Sequence, residues 1–368
     1  MSRKIVHWIF PNLNTLGGRS NYVKFLIQKF SELDFENHVI TSMSDDTNHK
    51  AFLTHHKVFF HALDFNKSME DIHTDVTIRK VKELNSLFLE NRFEVLLIHS
   101  LMPESFIYLK LLLTLVNPDL KIILLLHDLE TIKYLANNKN VDLFSAKNAI
   151  FVCPSKYIQS ELIKISPSIQ NIVHIPHGVS AYRRIEKLRS HYRDFTFVGD
   201  FEEHKGLVQL VIAWARICNN FSHSRLFLIG DGKLMNFVKR LVINLGIESK
   251  IVFTGWLNNE ELNIELESKR FIVIPSIIGE SFSLIAAEVQ YLGLPAIASS
   301  NGALIELIND SKNGVLVSPG NIDDLEKALV LLLDDDSFVD KLSLGAHKIA
   351  ESLLTPNDVI DRYLKILL

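Results

Sequence analysis

The chain has 368 residues, and at roughly 150 residues per domain this length favours two domains. The 39 Lys and Arg residues against 43 Asp and Glu residues give a formal net charge of -4, which excludes a strongly basic nucleic-acid-binding protein. Apolar residues make up 47% of the chain, a composition typical of folded globular proteins rather than disordered ones. Two cysteines, Cys153 and Cys218, are too few for a disulfide framework or a Cys-based zinc site, so we expect a reducing, cytoplasmic compartment.

The first apolar run, Ile5 to Phe10, is not followed by a small-residue cleavage site, so it predicts a first β-strand rather than a signal peptide. The longest apolar stretches, near residues 106–116 and 122–126, are shorter than the roughly 18 residues that a membrane span needs. We therefore expect a soluble protein, or at most one that binds to the surface of a membrane.

Short apolar runs alternate with amphipathic helical stretches along almost the whole chain, beginning with a helix from about 21 to 33. The runs do not alternate apolar and polar residues, which indicates strands covered on both faces and hence parallel sheets between helices. The strand-like runs of the first half are Ile5–Phe10, His38–Ser42, Val95–His99, Lys121–Leu126 and Ala149–Cys153. Those of the second half are Phe195–Val198, Arg225–Ile229, Ile251–Thr254, Phe271–Ile274, Ala296–Ser299 and Val315–Val317.

This pattern predicts an α/β protein with two Rossmann-like, doubly wound domains. The first domain is expected over 1–178 and the second over 195–356, with a last short helix at 357–368. Residues 179–194 carry several Lys and Arg side chains and no strand pattern, which favours an exposed linker. The alternative is that this basic segment contacts anionic lipid. A group of histidines, His49, His55, His56 and His61, is irregularly spaced in a polar segment, which predicts a solvated loop rather than a metal site.

The most informative stretch runs from Pro275 to Glu288 and predicts a strand, a loop and then a helix that begins about Leu284. Ser283 is expected to cap this helix. Because the unpaired N–H groups and the dipole of a helix N-terminus attract anions, the loop is a candidate phosphate site. Glu280 and Glu288 flank that site, where they could accept hydrogen bonds from ligand hydroxyls. The alternative is an unremarkable pair of solvated glutamates.

This stretch resembles the hallmark of glycosyltransferase family 4, which is Glu, seven residues and Glu, followed by a segment that ends Gly-Leu-Pro, here Gly293-Leu294-Pro295. Further family motifs follow in the expected order, so the resemblance covers most of the chain. They are Gly17-Gly18, His127-Asp128, Pro176-His177-Gly178-Val179, Lys205-Gly206 and Gly230-Asp231-Gly232.

The resemblance implies a GT-B fold, with two Rossmann-like domains facing a central cleft and a C-terminal helix that returns to the N-terminal domain. It also implies retaining transfer of a sugar from a nucleotide-diphosphate-sugar donor. Glu288 would then bind the ribose diol and Glu280 the hydroxyls of the donor sugar. The backbone at Phe282, Ser283 and Leu284 would contact the sugar and the diphosphate.

Lys205 follows a predicted strand and could neutralise a leaving diphosphate, so that neither a metal ion nor another cofactor would be required. The alternative is a surface lysine beside a helix. The chain departs from the family nearby, where a second phosphate-binding Arg is usual. Asp200 and Glu202 lie in this region and would oppose a diphosphate, unless they point away or another base substitutes.

Two further residues are assigned to the site in the first domain. Gly18 follows the first strand, where a missing side chain lets the backbone approach a ligand, although a simple tight turn is the alternative. His127 ends a predicted parallel strand, at the edge of the sheet where ligand sites form. The resemblance implies that His127 hydrogen-bonds the donor sugar, as an orienting group and not as a nucleophile. A core or capping histidine is the alternative.

These residues predict a glycosyltransferase that uses a UDP- or GDP-sugar and a glycan or glycolipid acceptor of the cell envelope, without nucleic acid or metal. Because Asp200 and Glu202 lie where the family has an Arg, a non-catalytic GT-B subunit that binds nucleotide sugar or glycan is the alternative. A sugar phosphorylase or a nucleotide-sugar epimerase would retain the fold with another reaction. The Glu280 and Glu288 pair counts against the epimerase, and the length counts against a large phosphorylase.

Overall fold

A computed structural model describes residues 3–9, 18–42, 56, 58–63, 74–101, 103–137, 140–147, 149–167, 169–179 and 193–368. The chain divides into two units, which are residues 1–176 together with 359–368 (unit 1) and residues 177–358 (unit 2). Within the described ranges, no helix is long and apolar enough to cross a membrane.

Unit 1 contains a seven-stranded parallel sheet with the strand order β3-β2-β1-β4-β5-β6-β7. Its strands are β1 (Lys4–Trp8), β2 (Glu36–Ser42), β3 (Phe59–Leu63), β4 (Val95–Ile98), β5 (Lys121–Leu125), β6 (Ile150–Cys153) and β7 (Ile172–His174). The described helices between them are α1 (Gly18–Glu32), α2 (Thr74–Asn91), α3 (Pro103–Leu115), α4 (Leu129–Ala136), α5 (Asn140–Ser145) and α6 (Lys156–Ile165).

Unit 2 contains a six-stranded parallel sheet with the order β10-β9-β8-β11-β12-β13. Its strands are β8 (Phe195–Val198), β9 (Leu226–Ile229), β10 (Ile251–Gly255), β11 (Phe271–Ile274), β12 (Ala296–Ser299) and β13 (Gly314–Val317). Its helices are α7 (Leu207–Ile217), α8 (Met235–Leu245), α9 (Asn259–Glu267), α10 (Leu284–Tyr291), α11 (Leu304–Leu307), α12 (Ile322–Asp334) and α13 (Asp336–Ala350). Short 3-10 turns lie at Glu203–Lys205, Cys218–Asn220 and Glu248–Lys250.

The unit 2 sheet is covered on both faces, as its continuous apolar strands predict. Along β11, Phe271 and Val273 pack into the core that includes α7 and α12, whereas Ile272 and Ile274 pack into the core that includes α10. All four residues are at most 5% exposed. Alternate side chains of one strand therefore anchor two separate helix layers.

The last helix, α14 (Pro356–Leu367), begins in unit 2, and its residues from Val359 onward belong to unit 1. The Tyr22 hydroxyl donates a hydrogen bond to the Tyr363 hydroxyl at 3.3 Å, and Lys121 Nζ donates to the carbonyl of Leu367 at 3.1 Å. Tyr363 is 1% exposed and also packs edge-on against Phe30. These contacts bury the apolar face of the helix in unit 1.

The two ends of the predicted linker are buried. Val179 packs beside α10 and its N–H donates to the carbonyl of Leu354 at 2.9 Å. The Asp194 carboxylate accepts a hydrogen bond from the N–H of Arg225 at 2.9 Å, which fixes the start of β8. Residues 180–192, which carry most of the basic side chains of this segment, lie outside the described residues.

Candidate functional site

The strand order of unit 2 places a crevice at the carboxyl ends of β8 and β11. The chain runs outward from β8 to β9 and β10 on one side, and the sequence then resumes at β11 on the other side. The loops that leave β8 and β11 therefore diverge, and open α/β sheets bind ligands at such a point. Lys205 lies in the segment after β8 and Glu280 in the segment after β11.

Lys205 and Glu280 are in direct contact at this point. Lys205 Nζ donates a hydrogen bond to Glu280 Oε1 at 2.9 Å, and Ser276 Oγ donates to the same oxygen at 2.6 Å. The Lys205 side chain is 25% exposed and that of Glu280 is 14% exposed. The pair is shielded enough to act as a fixed electrostatic unit, and it remains accessible to a ligand.

The surroundings of Glu280 favour its ionised form. Burial alone would raise the pKa of Glu280, but the positive charge of Lys205 and hydrogen bonds from Ser276 and Lys205 outweigh this effect. The pKa of Glu280 is therefore lowered from its usual 4.5. An ionised carboxylate with a fixed lysine beside it is suited to accept hydrogen bonds from the hydroxyls of a ligand.

Two close backbone approaches hold the Glu280 loop in place. A Cβ atom at Gly206 would lie 2.0 Å from the carbonyl oxygen of Pro275, and one at Gly302 would lie 2.4 Å from the backbone nitrogen of Glu280. Both glycines have a positive φ, a conformation that costs other residues free energy. The N–H of Ala303 also donates to the carbonyl of Glu280 at 2.8 Å. The segments after β8 and β12 thus clamp the loop between them.

Helix α10 begins at Leu284 as predicted, but the expected cap is wrong in detail. Ser283 occupies the N-cap position with a φ of 84°, in the left-handed region, and its side chain makes no capping hydrogen bond. Its Oγ is buried without a hydrogen bond of good geometry, although the hydroxyl lies close enough to Glu280 to help lower the pKa of that carboxyl. The Ser283 side chain therefore does not occupy the N–H groups of the first turn of α10, which are the groups that an anion would bind at this terminus.

The remaining predicted residues of this segment lie around the same terminus. Phe282 is 5% exposed and its ring lies 5.0 Å from that of His177. Glu288 is half-buried in the second turn of α10. The structure thus brings Lys205 and Glu280 into contact directly and places Phe282, Ser283, Leu284 and Glu288 on the loop and helix that continue from Glu280.

The acidic residues near Lys205 differ in their surroundings. Burial around its carboxyl raises the pKa of Asp200, although the residue as a whole is exposed, and Glu202 and Glu280 add to this rise against Lys205 and His204. Glu202 Oε1 pairs with Lys233 Nζ at 3.4 Å. The sequence analysis did not single out Lys233 or Ser276. For Lys233, its position directly after the motif Gly230-Asp231-Gly232 was the available signal.

In unit 1, the predicted residues lie at the corresponding edge of the other sheet. Gly18 is the first residue of α1, whereas Gly17 lies outside the described residues. His127 lies two residues after the end of β5 and is 8% exposed, and the next residue, Asp128, caps α4 by accepting from the N–H of Thr131 at 2.7 Å. The capping role that was an alternative for His127 belongs to Asp128.

His127 belongs to a row of buried histidines that sequence reasoning missed. His99 Nδ1 and His127 Nε2 are 3.4 Å apart, and His7 Nδ1 and His99 Nε2 are 3.1 Å apart. We call His7, His99 and His127 the imidazole chain. His99 follows β4 as His127 follows β5, and this shared position at the end of a parallel strand was the available signal.

The predicted histidine loop is wrong for His61. His61 lies in β3, and its Nε2 is 2.9 Å from Nδ1 of His38 on the neighbouring strand. The strand was missed because His61 interrupts its apolar residues and the irregular spacing of the histidines favours a loop. His49 and His55 lie outside the described residues. Among the residues that the structure describes, no group of three or more His, Cys, Asp or Glu side chains could hold a metal ion.

Solved structures share this architecture. An Anabaena protein, HepE, whose crystal structure contains UDP and glucose, superposes with a TM-score of 0.79 at 16% identity, over 99% of this chain and 99% of that one. Together with the two parallel-sheet units, this likeness defines the fold as GT-B.

Two family models match the chain. The model for Glycosyltransferase Family 4 matches residues 16–183, and the model for glycosyl transferases group 1 matches residues 179–348. The chain therefore belongs to glycosyltransferase family 4, as the motif around Glu280 and Glu288 predicted.

The chain is also similar to curated proteins over part of its length. It is 30% identical to the uncharacterized glycosyltransferase MJ1607 of Methanocaldococcus jannaschii, over 45% of this chain and 42% of that protein. It is 28% identical to the O-antigen chain mannosyltransferase C of Escherichia coli, over 53% of each chain. The chain thus spans about half the length of these relatives.

Proposed function

We propose that this protein is a retaining glycosyltransferase that moves a sugar from a UDP- or GDP-sugar to a glycan or glycolipid acceptor of the cell envelope. The observation that carries the proposal is the Lys205–Glu280–Ser276 cluster at the crevice of the unit 2 sheet, next to the uncapped N-terminus of α10. Family membership supports the reaction type. The UDP and glucose in the HepE crystal structure support the choice of donor. The similarity to the O-antigen chain mannosyltransferase C supports the choice of acceptor.

In this proposal the diphosphate binds between Lys205 and the first turn of α10. Lys205 contributes a point charge against the charge that develops on the leaving diphosphate, and the backbone at Phe282, Ser283 and Leu284 contributes N–H groups. Lys233, on the next loop of the same sheet, is the base that substitutes for the missing family Arg. These cations make a metal ion unnecessary in the proposed reaction.

The two glutamates and His127 bind neutral hydroxyls in this proposal. Glu280 accepts from hydroxyls of the donor sugar and Glu288 from the ribose diol. His127 hydrogen-bonds a hydroxyl of the donor sugar and orients it. An oxocarbenium-like transition state requires no separate general base here, since the departing phosphate can accept the proton of the acceptor hydroxyl.

A cytoplasmic location, with contact at the inner face of the membrane, suits this chemistry. Cys153 and Cys218 are both buried and unbridged, which fits a reducing compartment. A lipid-linked acceptor would bring the enzyme to the membrane surface.

The second candidate is a GT-B subunit that binds a nucleotide sugar without turning it over. Two observations favour it: Lys205 is already paired with Glu280, and Asp200 adds a carboxyl beside them. Binding of a diphosphate must then compete with an existing ion pair.

A two-stage experiment separates the candidates. A thermal-shift screen against UDP-, GDP- and ADP-sugars identifies the donor, because a ligand that binds the folded protein stabilises it by an amount that grows with the logarithm of its concentration relative to Kd. Release of nucleotide from that donor is then measured for the wild type and for Glu288→Ala. We expect turnover by the wild type and none by the variant. Binding without turnover would favour the non-catalytic subunit, and full activity of the variant would remove Glu288 from the site.

A further inference from the structure

The imidazole chain crosses the centre of the unit 1 sheet at its carboxyl edge. His7 lies on β1, and His99 and His127 follow β4 and β5, which are the next two strands of the sheet. The ring planes of neighbouring histidines are within 16° and 6° of parallel, with centroids 5.3 and 5.6 Å apart. His7 and His99 are at most 1% exposed, whereas His127 is 8% exposed. Only the last ring of the row can meet a ligand.

Asn37 sets the direction of the hydrogen bonds along this row. Its Nδ2 donates to the carbonyl of Phe35 at 3.1 Å and to Ser31 Oγ at 3.0 Å. Because a backbone carbonyl can only accept, this contact fixes the orientation of the amide and turns Oδ1 toward His7. Oδ1 lies 3.0 Å from His7 Nε2, so His7 carries its proton on Nε2.

The donor and acceptor nitrogens of each ring follow from those of the ring before it. Burial lowers the pKa of His7 to about 4, so the ring is neutral near pH 7 and its Nδ1 can only accept. His99 must then donate from Nε2 to His7, and a neutral His99 ring keeps Nδ1 as an acceptor. A neutral His127 in turn donates from Nε2 to His99, so that its proton lies on Nε2 and its Nδ1 is unprotonated.

We propose that Asn37, His7 and His99 are positioning residues that fix the tautomer of His127, so that His127 presents Nδ1 as an acceptor for a sugar hydroxyl. The proposal rests on the proposed function for the identity of that ligand. Tyr22 packs edge-on against His127, with ring centroids 5.7 Å apart, and holds the ring plane from the side of α1. The chain therefore controls both the orientation and the hydrogen-bonding role of the one accessible imidazole.

The tautomer is measured directly on the wild-type protein labelled with ¹⁵N at histidine. Long-range proton–nitrogen correlation spectra distinguish a protonated ring nitrogen from an unprotonated one. We expect His127 to be protonated on Nε2 at neutral pH. A proton on Nδ1, or a mixture of both tautomers, would overturn the proposal, and this result does not depend on any ligand.

A matched pair of variants tests the relay through the middle ring. His99→Gln keeps one donor and one acceptor in the row, whereas His99→Phe fills the space and ends the row. The readout is the affinity for UDP-glucose relative to UDP, and for GDP-mannose relative to GDP. We expect His99→Phe to reduce the affinity for the nucleotide sugar relative to the nucleotide by about tenfold and to give a mixture of the two His127 tautomers. His99→Gln should stay close to the wild type in both measurements.

The outcomes separate the two proposals. Equal loss in both variants would indicate a merely structural role for His99, and no loss in either would show that the row does not act on His127. If the wild type binds none of the four compounds, these nucleotides and sugars are excluded as ligands of the proposed function. The tautomer of His127 still decides whether Asn37, His7 and His99 fix its protonated nitrogen. Circular dichroism and melting temperature identify a variant that has not folded.

Discussion

The carboxyl edges of the two sheets present different kinds of polar groups. In unit 2 the polar groups at the edge are charged: Lys205 pairs with Glu280, and Asp200 and Glu202 lie nearby. In unit 1 the corresponding groups are the three imidazoles of a row that begins at the amide of Asn37, and burial lowers the pKa of the innermost one, His7, to about 4. The first arrangement suits a ligand with phosphate charge, and the second suits a ligand with hydroxyls. In the proposed function, one topology therefore serves two kinds of recognition, and the side chains at the strand ends decide which.

The largest expected effect comes from removing the cation of unit 2. Lys205→Met preserves much of the side-chain volume but removes the charge beside Glu280, and we expect turnover to fall by about 10²- to 10³-fold. The measurement is nucleotide release from the donor found in the thermal-shift screen. Lys133→Met is the matched control, because Lys133 forms an exposed ion pair with Glu130 in unit 1. An equal loss in both variants would show that the charge of Lys205 has no special role.

The next effect tests the clamp on the Glu280 loop. Gly302→Ala adds a Cβ that overlaps the backbone of Glu280, whereas Gly246→Ala adds one at a similar φ with no atom within 4 Å. We expect Gly246→Ala to cost about 1 kcal/mol and Gly302→Ala about 2–4 kcal/mol, with loss of donor binding only in the latter. Urea unfolding and donor titration measure the two effects. Equal costs would mean that the close approach does not constrain the loop.

How far the sequence predicts this molecule depends on the kind of feature. Apolar runs without alternation located β8, β11 and β12 to the residue, because buried parallel strands leave a strong pattern. The strands β3 and β7 at the two edges of the unit 1 sheet were missed, since each contains a histidine and neither shows the fully buried, continuous apolar pattern of a central strand. Lys205 and Glu280 were identified separately through a motif, but their contact depends on how two loops diverge in space. The imidazole chain joins residues 92 and 28 positions apart, which no local pattern records.

The stability of the protein should depend on pH through the Lys205–Glu280 pair at the carboxyl edge of the unit 2 sheet. The folded pKa of Glu280 is lowered, so its contribution to stability is fully present above its usual 4.5 and is lost as the pH falls through the lowered folded value. Without Lys205, its charge and its hydrogen bond no longer lower the pKa of Glu280, so the pKa rises and much of this contribution disappears. We expect the stability gap between the wild type and Lys205→Met to be widest near neutral pH and to narrow below about pH 4.5. Urea unfolding at several pH values measures it, and a constant gap would contradict the assigned pairing.

The smallest expected effect concerns the acidic residue that opposes a diphosphate. Because burial raises the pKa of Asp200, its protonation on acidification removes a negative charge next to the ligand, so nucleotide should bind more tightly as the pH falls through that raised value. Asp200→Asn should raise the affinity for UDP or GDP by about two- to fivefold and flatten this pH dependence. Titration calorimetry measures both. The control is Asp323→Asn, at an exposed acid that pairs with Arg216 on the same unit; an equal gain there would indicate a general charge effect.

The most direct test of glycosyl transfer at the charged edge is a proton NMR time course with the donor identified in the screen. The spectra follow consumption of the nucleotide sugar and the anomeric configuration of the first product, for the wild type and for Lys205→Met. We expect the wild type to form a product with the anomeric configuration of the donor, and the variant to form it at least about 10²-fold more slowly. An inverted product, or a donor that binds and is never consumed, would contradict retaining transfer by this protein.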